Sequence, residues 1–98
     1  LSNTARTGLT GFLKTVAREV AKDGVTVNSV QPGLHLTDRV RSVYADAEPD
    51  AVAMGIPSGT LGDPMDFGQV VAFLCSEQAS FICGQNIQID GGSYKGLL

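Results

Sequence analysis

With 98 residues, 43% hydrophobic and 17% charged, the chain has enough apolar content for one small packed domain and too few charges for disorder. Its net charge of −3, with no basic run, argues against a nucleic-acid partner, and no apolar stretch reaches the roughly 18 residues of a membrane span. No secretory pattern opens the chain, and Cys75 and Cys83 lack metal-ligand spacing, so no metal site or disulfide framework is expected and two plain thiols fit a cytoplasmic protein.

Leu9, Phe12, Leu13, Val16 and Val20 recur at helical spacing and predict a helix over 3–22, with Gly24 as its left-handed stop. Gly8 and Gly11, inside that helix, are read as points of close helix packing. The chain begins at Leu1, almost directly in this helix, which suggests a missing upstream segment. The β-branched run Val25 to Val30, ended by Pro32-Gly33, predicts a strand.

Residues 34–62 form an irregular excursion. Thr37 is placed to cap a helix from Asp38 to about Ala47, with Val40, Val43 and Tyr44 on its apolar side and Pro49 as its end. One more turn is expected at 50–55. Asp63 as N-cap, Pro64 at the first helical position and Asp66 in the first turn open the next helix, which runs to Ser76. Phe67, Val70, Val71, Phe73 and Leu74 make it apolar over most of its girth, the pattern of a helix buried on two sides. A turn at 77–82 leads to the alternating strand 86–90, closed by Asp90-Gly91-Gly92.

Two strands separated by an excursion and one helix make a single βαβ unit with a parallel pair, and its crossover should be right-handed. Two strands are a poor sheet, because a parallel sheet needs helices on both faces and further neighbours. A self-sufficient small α/β domain remains the competing reading.

Four segments together resemble the short-chain dehydrogenase/reductases, especially their 3-oxoacyl-carrier-protein reductase branch. They are Leu13 to Ala21; Val25 to Gly33; Ile56 to Pro64; and Ala72 to Ser76, continued by Ser80 to Gln85 and Asp90-Gly91-Gly92. They stand in the family's order and spacing across nearly the whole chain. The resemblance implies the C-terminal part of a doubly wound, Rossmann-type parallel sheet that binds NAD or NADP. It implies hydride transfer between nicotinamide and a carbonyl or hydroxyl substrate, with a 3-oxoacyl thioester as one candidate. Nothing here resembles the glycine-rich phosphate loop, so the site is incomplete, and the isolated chain is expected to be inactive without the N-terminal half of the same domain. A homo-oligomer is implied, paired through the 3–22 helix and the helix from Pro64 to Ser76. The alternative is a non-catalytic assembly or binding module derived from the same family.

The family's catalytic Tyr and Lys, spaced as YxxxK, align with Ser2 and Arg6. Serine is a much weaker acid than tyrosine and its side chain is shorter. Arg6 keeps a positive charge that can hold the cofactor ribose. The plainer readings are a helix cap for Ser2 and an exposed helix residue for Arg6. Pro32-Gly33-Leu34-His35-Leu36-Thr37 fits the family's PGxxxT cofactor pattern. The resemblance assigns nicotinamide contacts to Pro32, Gly33, the His35 backbone and the Thr37 hydroxyl. The His35 side chain is expected to face solvent. Residues 34–55 match the family's substrate lid, with Leu36, Val40 and Tyr44 as candidate substrate contacts. Thr60 stands where many relatives carry Arg.

Overall fold

A computed structural model describes residues 1–43 and 53–97. In chain order they form helix α1 (Ser2–Val20), a 3-10 turn (Ala21–Asp23), strand β1 (Ser29–Pro32), helix α2 (Asp38–Val43), helix α3 (Pro64–Leu74), a second 3-10 turn (Glu77–Ala79) and strand β2 (Asn86–Ile89). The two strands are neighbours in a two-stranded sheet. Ser29 N–H donates to Gln85 O at 2.8 Å and Gly33 N–H to Ile89 O at 2.9 Å. The partner advances in step with the donor, so the strands are parallel, as the βαβ rhythm requires. The architecture is α/β.

The chain clusters into two compact units. One comprises Leu1–Val30 with Val71–Ile87, the other Gln31–Val70 with Gln88–Leu98. In the first, Ala17 of α1 and Ala79 are buried, while Leu13, Val16 and Val20 are half-buried. Leu9 and Phe12, from the same predicted stripe, are exposed. A Cβ added at Gly8 or Gly11 would meet nothing within 4 Å, so no described residue packs closely on these glycines. Gly24 ends the helical run at φ 76°, a conformation that costs a side-chain-bearing residue but not glycine. Lys14 Nζ donates to Gly84 O at 2.9 Å and ties α1 to the loop before β2.

The first strand starts later than its β-branched residues suggest. Val25 to Asn28 form no ladder of their own. Val27 O accepts from Gly84 N–H at 2.7 Å. The Asn28 side chain donates to Ile82 O at 2.9 Å and accepts from Gln85 N–H at 3.1 Å. A side chain thus takes the bonds a ladder would have made, because the partner strand begins only at Asn86. Pro32 closes β1 and contributes only its carbonyl to hydrogen bonding.

In the second unit, Ala53, Ile56 and His35 are buried. Both predicted helix caps form. Thr37 Oγ1 accepts from Val40 N–H at 3.2 Å at the start of α2, and Asp63 Oδ1 accepts from Met65 N–H at 2.8 Å at the start of α3. The predicted continuation of α2 through Ala47, its stop at Pro49 and the first half of the turn at 50–55 lie outside the described residues, while residues 53–55 do turn. Asp90 closes β2, its Oδ1 accepting from Gly92 N–H at 2.9 Å and its Oδ2 from Tyr94 N–H at 2.8 Å.

The burial expected for the third helix is not found. No residue of α3 is buried, and Met65 and Phe73 are 72% and 50% exposed. An apolar girth needs cover on both sides. The described residues do not supply it.

Candidate nicotinamide and substrate site

The site grows out of the turn that leaves β1. After Pro32, the backbone at Gly33 passes so close to the end of β2 that a Cβ there would stand 2.7 Å from both Cα and Cβ of Asp90. Only glycine fits this approach without moving the strand. Two residues on, His35 pairs with Gly62 in an isolated parallel bridge. Leu36 N–H donates to Gly62 O at 2.8 Å, and Gly62 N–H to Leu34 O at 3.0 Å. The residues flanking His35 make both bonds of the bridge. His35 O accepts from Thr37 N–H at 2.8 Å, while the His35 N–H has no hydrogen-bond partner among the described residues.

The His35 side chain is buried, with 8% of its surface exposed, which corrects the solvent-facing placement expected from sequence. Its Nδ1 lies 3.1 Å from Gly33 O and donates to that carbonyl. Its ring meets Phe67 edge to face, with centroids 5.2 Å apart and planes at 85°. It also packs on Gly62, where a Cβ would come within 2.6 Å of Nε2. A lone histidine in a loop sequence reads as exposed. The bridge to Gly62 and the approach of α3 turn it inward.

These segments enclose a pocket of about 480 Å³, lined by Pro32, Gly33, His35, Thr37, Arg39, Val40, Pro64 and Phe67. A smaller one of about 120 Å³ lies on the other side of His35, against Ser58, Thr60, Gly62, Asp90 and Gly91. The larger one has the size of a small-molecule site and sits beyond the C-terminal end of a parallel strand, where open α/β sheets bind ligands. The Thr37 hydroxyl accepts the Val40 cap bond and still has a proton to give.

Every residue assigned to the nicotinamide therefore lines one pocket, and so does Val40. Leu36 is exposed and does not line it. Tyr44 lies outside the described residues. Ser2 and Arg6 are exposed and fall in the other unit, one turn apart on the same side of α1, the spacing a YxxxK pair would have. Ser2 is the first helical residue and not the cap. Leu1 holds that position, with no side-chain bond. Pro64, Phe67 and Arg39 were not singled out as pocket residues from sequence. Pro64 and Phe67 read as ordinary helix-start and helix-face residues, and only the His35–Gly62 bridge brings α3 beside the strand end. Among the described residues, no group of His, Cys, Asp or Glu is arranged to hold a metal ion.

Comparison with known proteins agrees with this geometry. A family model described as enoyl-(acyl carrier protein) reductase matches residues 1–94. The 3-oxoacyl-[acyl-carrier-protein] reductase FabG of Vibrio cholerae is 43% identical over 90 residues, covering 92% of this chain and 36% of the relative. The reductase of the same name from Escherichia coli K12 is 42% identical over the same length, with the same coverage. Among solved structures, YwfH, an NADPH-dependent reductase involved in bacilysin biosynthesis, superposes with a TM-score of 0.83 at 33% identity, over 93% of this chain and 38% of that one. The chain thus spans about a third of the length of these relatives, and its two parallel strands correspond to part of their Rossmann-type fold. On this evidence the chain belongs to the short-chain dehydrogenase/reductase family and resembles its 3-oxoacyl-carrier-protein reductases.

Proposed function

We propose that the chain is the C-terminal part of an NAD(P)-dependent oxidoreductase that reduces a carbonyl or oxidises a hydroxyl, with a 3-oxoacyl thioester as the candidate substrate. The observation that carries this reading is the convergence of Pro32, Gly33, His35 and Thr37 on one pocket at the strand end. The residues fit a nicotinamide. Gly33 lets the bend pass against Asp90 and lines the pocket, the His35 N–H, unpaired among the described residues, is a donor for the carboxamide oxygen, and the Thr37 hydroxyl is a second. The NADPH dependence printed for YwfH favours NADPH as the cofactor.

When bound, the nicotinamide supplies or accepts the hydride. The protein's part is positional. Pro32 and Gly33 would line the place of the ring, the His35 and Thr37 donors would orient it, and Val40, Pro64 and Phe67 supply apolar lining that limits water. A proton must also reach the substrate oxygen, and Ser2 and Arg6 hold the positions of the Tyr and Lys that do this in the family. The Ser2 hydroxyl is a poor acid for the task. Arg6 retains the charge and donors to hold a ribose hydroxyl. The substitution at Ser2 is what favours the second reading, a non-catalytic assembly or binding module. The exposed apolar residues of α1 and α3 are surfaces for the N-terminal half of the domain and for a second subunit of a cytoplasmic homo-oligomer. Among the described residues no helix is long and apolar enough to cross a membrane.

The reading is tested by grafting. Residues 7–98 replace the matching segment of the Vibrio cholerae reductase, which keeps its own Tyr and Lys. The graft is expected to oxidise NADPH with an acetoacetyl thioester, while the 98-residue chain alone shows no turnover. A well-folded graft that neither binds nor oxidises NADPH would contradict the reading.

A further inference from the structure

The substrate end of the pocket carries a charge that an aliphatic acyl chain does not use. Pro32, Val40, Pro64 and Phe67 are apolar walls of the pocket, and Arg39 is the single charged residue lining it among the described residues. Arg39 has no ion-pair partner among the described residues. Among the described residues, the adjacent acid Asp38 does not line the pocket, and neighbouring positions on a helix do not face the same way. The Asp63 carboxylate is engaged as the cap of α3. With the His35 amide and the Thr37 hydroxyl assigned to the nicotinamide, the guanidinium and the apolar walls are left for the substrate.

We propose that this pocket selects an anionic substrate, an apolar oxo compound whose carboxylate pairs with Arg39. The inference rests on the reading of the site given above for the oxo group, but not for the carboxylate. A planar guanidinium binds a carboxylate through two parallel hydrogen bonds. A neutral substrate of the same shape leaves the charge facing an apolar body. Arg39 is therefore a specificity-determining residue, and Val40 and Phe67 grip the carbon chain between the two ends.

Nitrogen–proton NMR spectra of the chain, titrated with hexanoate and with hexanamide, test this without requiring turnover, whereas failure of the underlying reading shows separately in the graft's NADPH oxidation. Hexanoate is expected to shift the Val40 and Phe67 amide signals and to bind about tenfold more tightly than hexanamide, the order expected for a charge-assisted hydrogen bond. Arg39→Gln, an exposed change in a short helix, should abolish the difference, and Arg39→Lys should retain part of it. Equal binding of the two probes, a preference that survives Arg39→Gln, or no shift at Val40 and Phe67 would overturn the proposal. So would tighter binding of inorganic phosphate at Arg39, which would mark the side chain as a cofactor-phosphate contact.

Discussion

Grafting residues 1–98, instead of 7–98, onto the Vibrio cholerae reductase should lower kcat about 10²–10⁴-fold while changing the KM for NADPH far less. The only difference between the two grafts is the stretch from Leu1 to Arg6, in which the proposed reading puts Ser2 and Arg6 at the positions of the family's Tyr and Lys. A positioned general acid contributes about 10²–10⁴-fold, and serine, far from titrating near neutral pH, forfeits most of it. Arg6 keeps a cation with hydrogen-bond donors, so cofactor binding suffers little. Loss concentrated in kcat is the signature of an interaction made in the transition state. The double change Ser2→Tyr with Arg6→Lys should restore the rate, since Ser2 and Arg6 stand one turn apart on α1 as the catalytic pair must. Steady-state kinetics of the three proteins decide the matter. If the 1–98 graft is as fast as the 7–98 graft, this chain uses another acid. If the restored graft stays slow, the non-catalytic reading gains.

Replacing Gly33 by alanine should destabilise the chain by about 1–3 kcal/mol, the usual cost of forcing atoms into a filled space. The new Cβ would lie 2.7 Å from the Asp90 Cα and 3.3 Å from its carbonyl oxygen, so backbone must move. The strand end cannot yield cheaply. Gly33 N–H is bonded to Ile89 O at 2.9 Å, and the Asp90 carboxylate is held by two backbone amides. The same chemical change at Gly8 should act in the opposite direction. Nothing lies within 4 Å of that Cβ, and alanine is the better helix former by about 1 kcal/mol. Urea denaturation of Gly33→Ala and Gly8→Ala should move the midpoint down and up, respectively. Equal shifts would mean that the tight passage at Gly33 is not real. Because Gly33 also forms the floor of the pocket, its variant should lose nicotinamide binding in the 7–98 graft, and Gly8→Ala should not.

Local chemistry made part of this fold legible in advance. The Thr37 and Asp63 caps and the Gly24 stop are short-range devices, and each appears where its residue type predicts it. The strand at Val25 was misplaced because β-branching reports a preference, whereas strand limits depend on a partner that starts only at Asn86. The apolar girth of α3 was read as buried because hydropathy does not say whether the covering surface belongs to the same stretch of chain. His35 shows the same limit from the other side. Its proposed backbone role comes from the resemblance around Pro32-Gly33, but its buried ring depends on Gly62 and Phe67, both distant in sequence. Arg39 carried no signal at all. A single arginine beside an aspartate in a helical turn is unremarkable until it is seen to line one pocket with Pro64 and Phe67. Tyr44, assigned to the substrate from the lid pattern, lies outside the described residues.

The central claim is that the bend after β1 receives the nicotinamide ring. A crystal structure of the 7–98 graft with NADPH addresses it most directly. The ring should rest over Pro32 and Gly33, with its carboxamide oxygen accepting from the His35 amide and its carboxamide within hydrogen-bond reach of the Thr37 hydroxyl. A nicotinamide bound away from this bend, with the His35 amide still unpaired, would contradict the account.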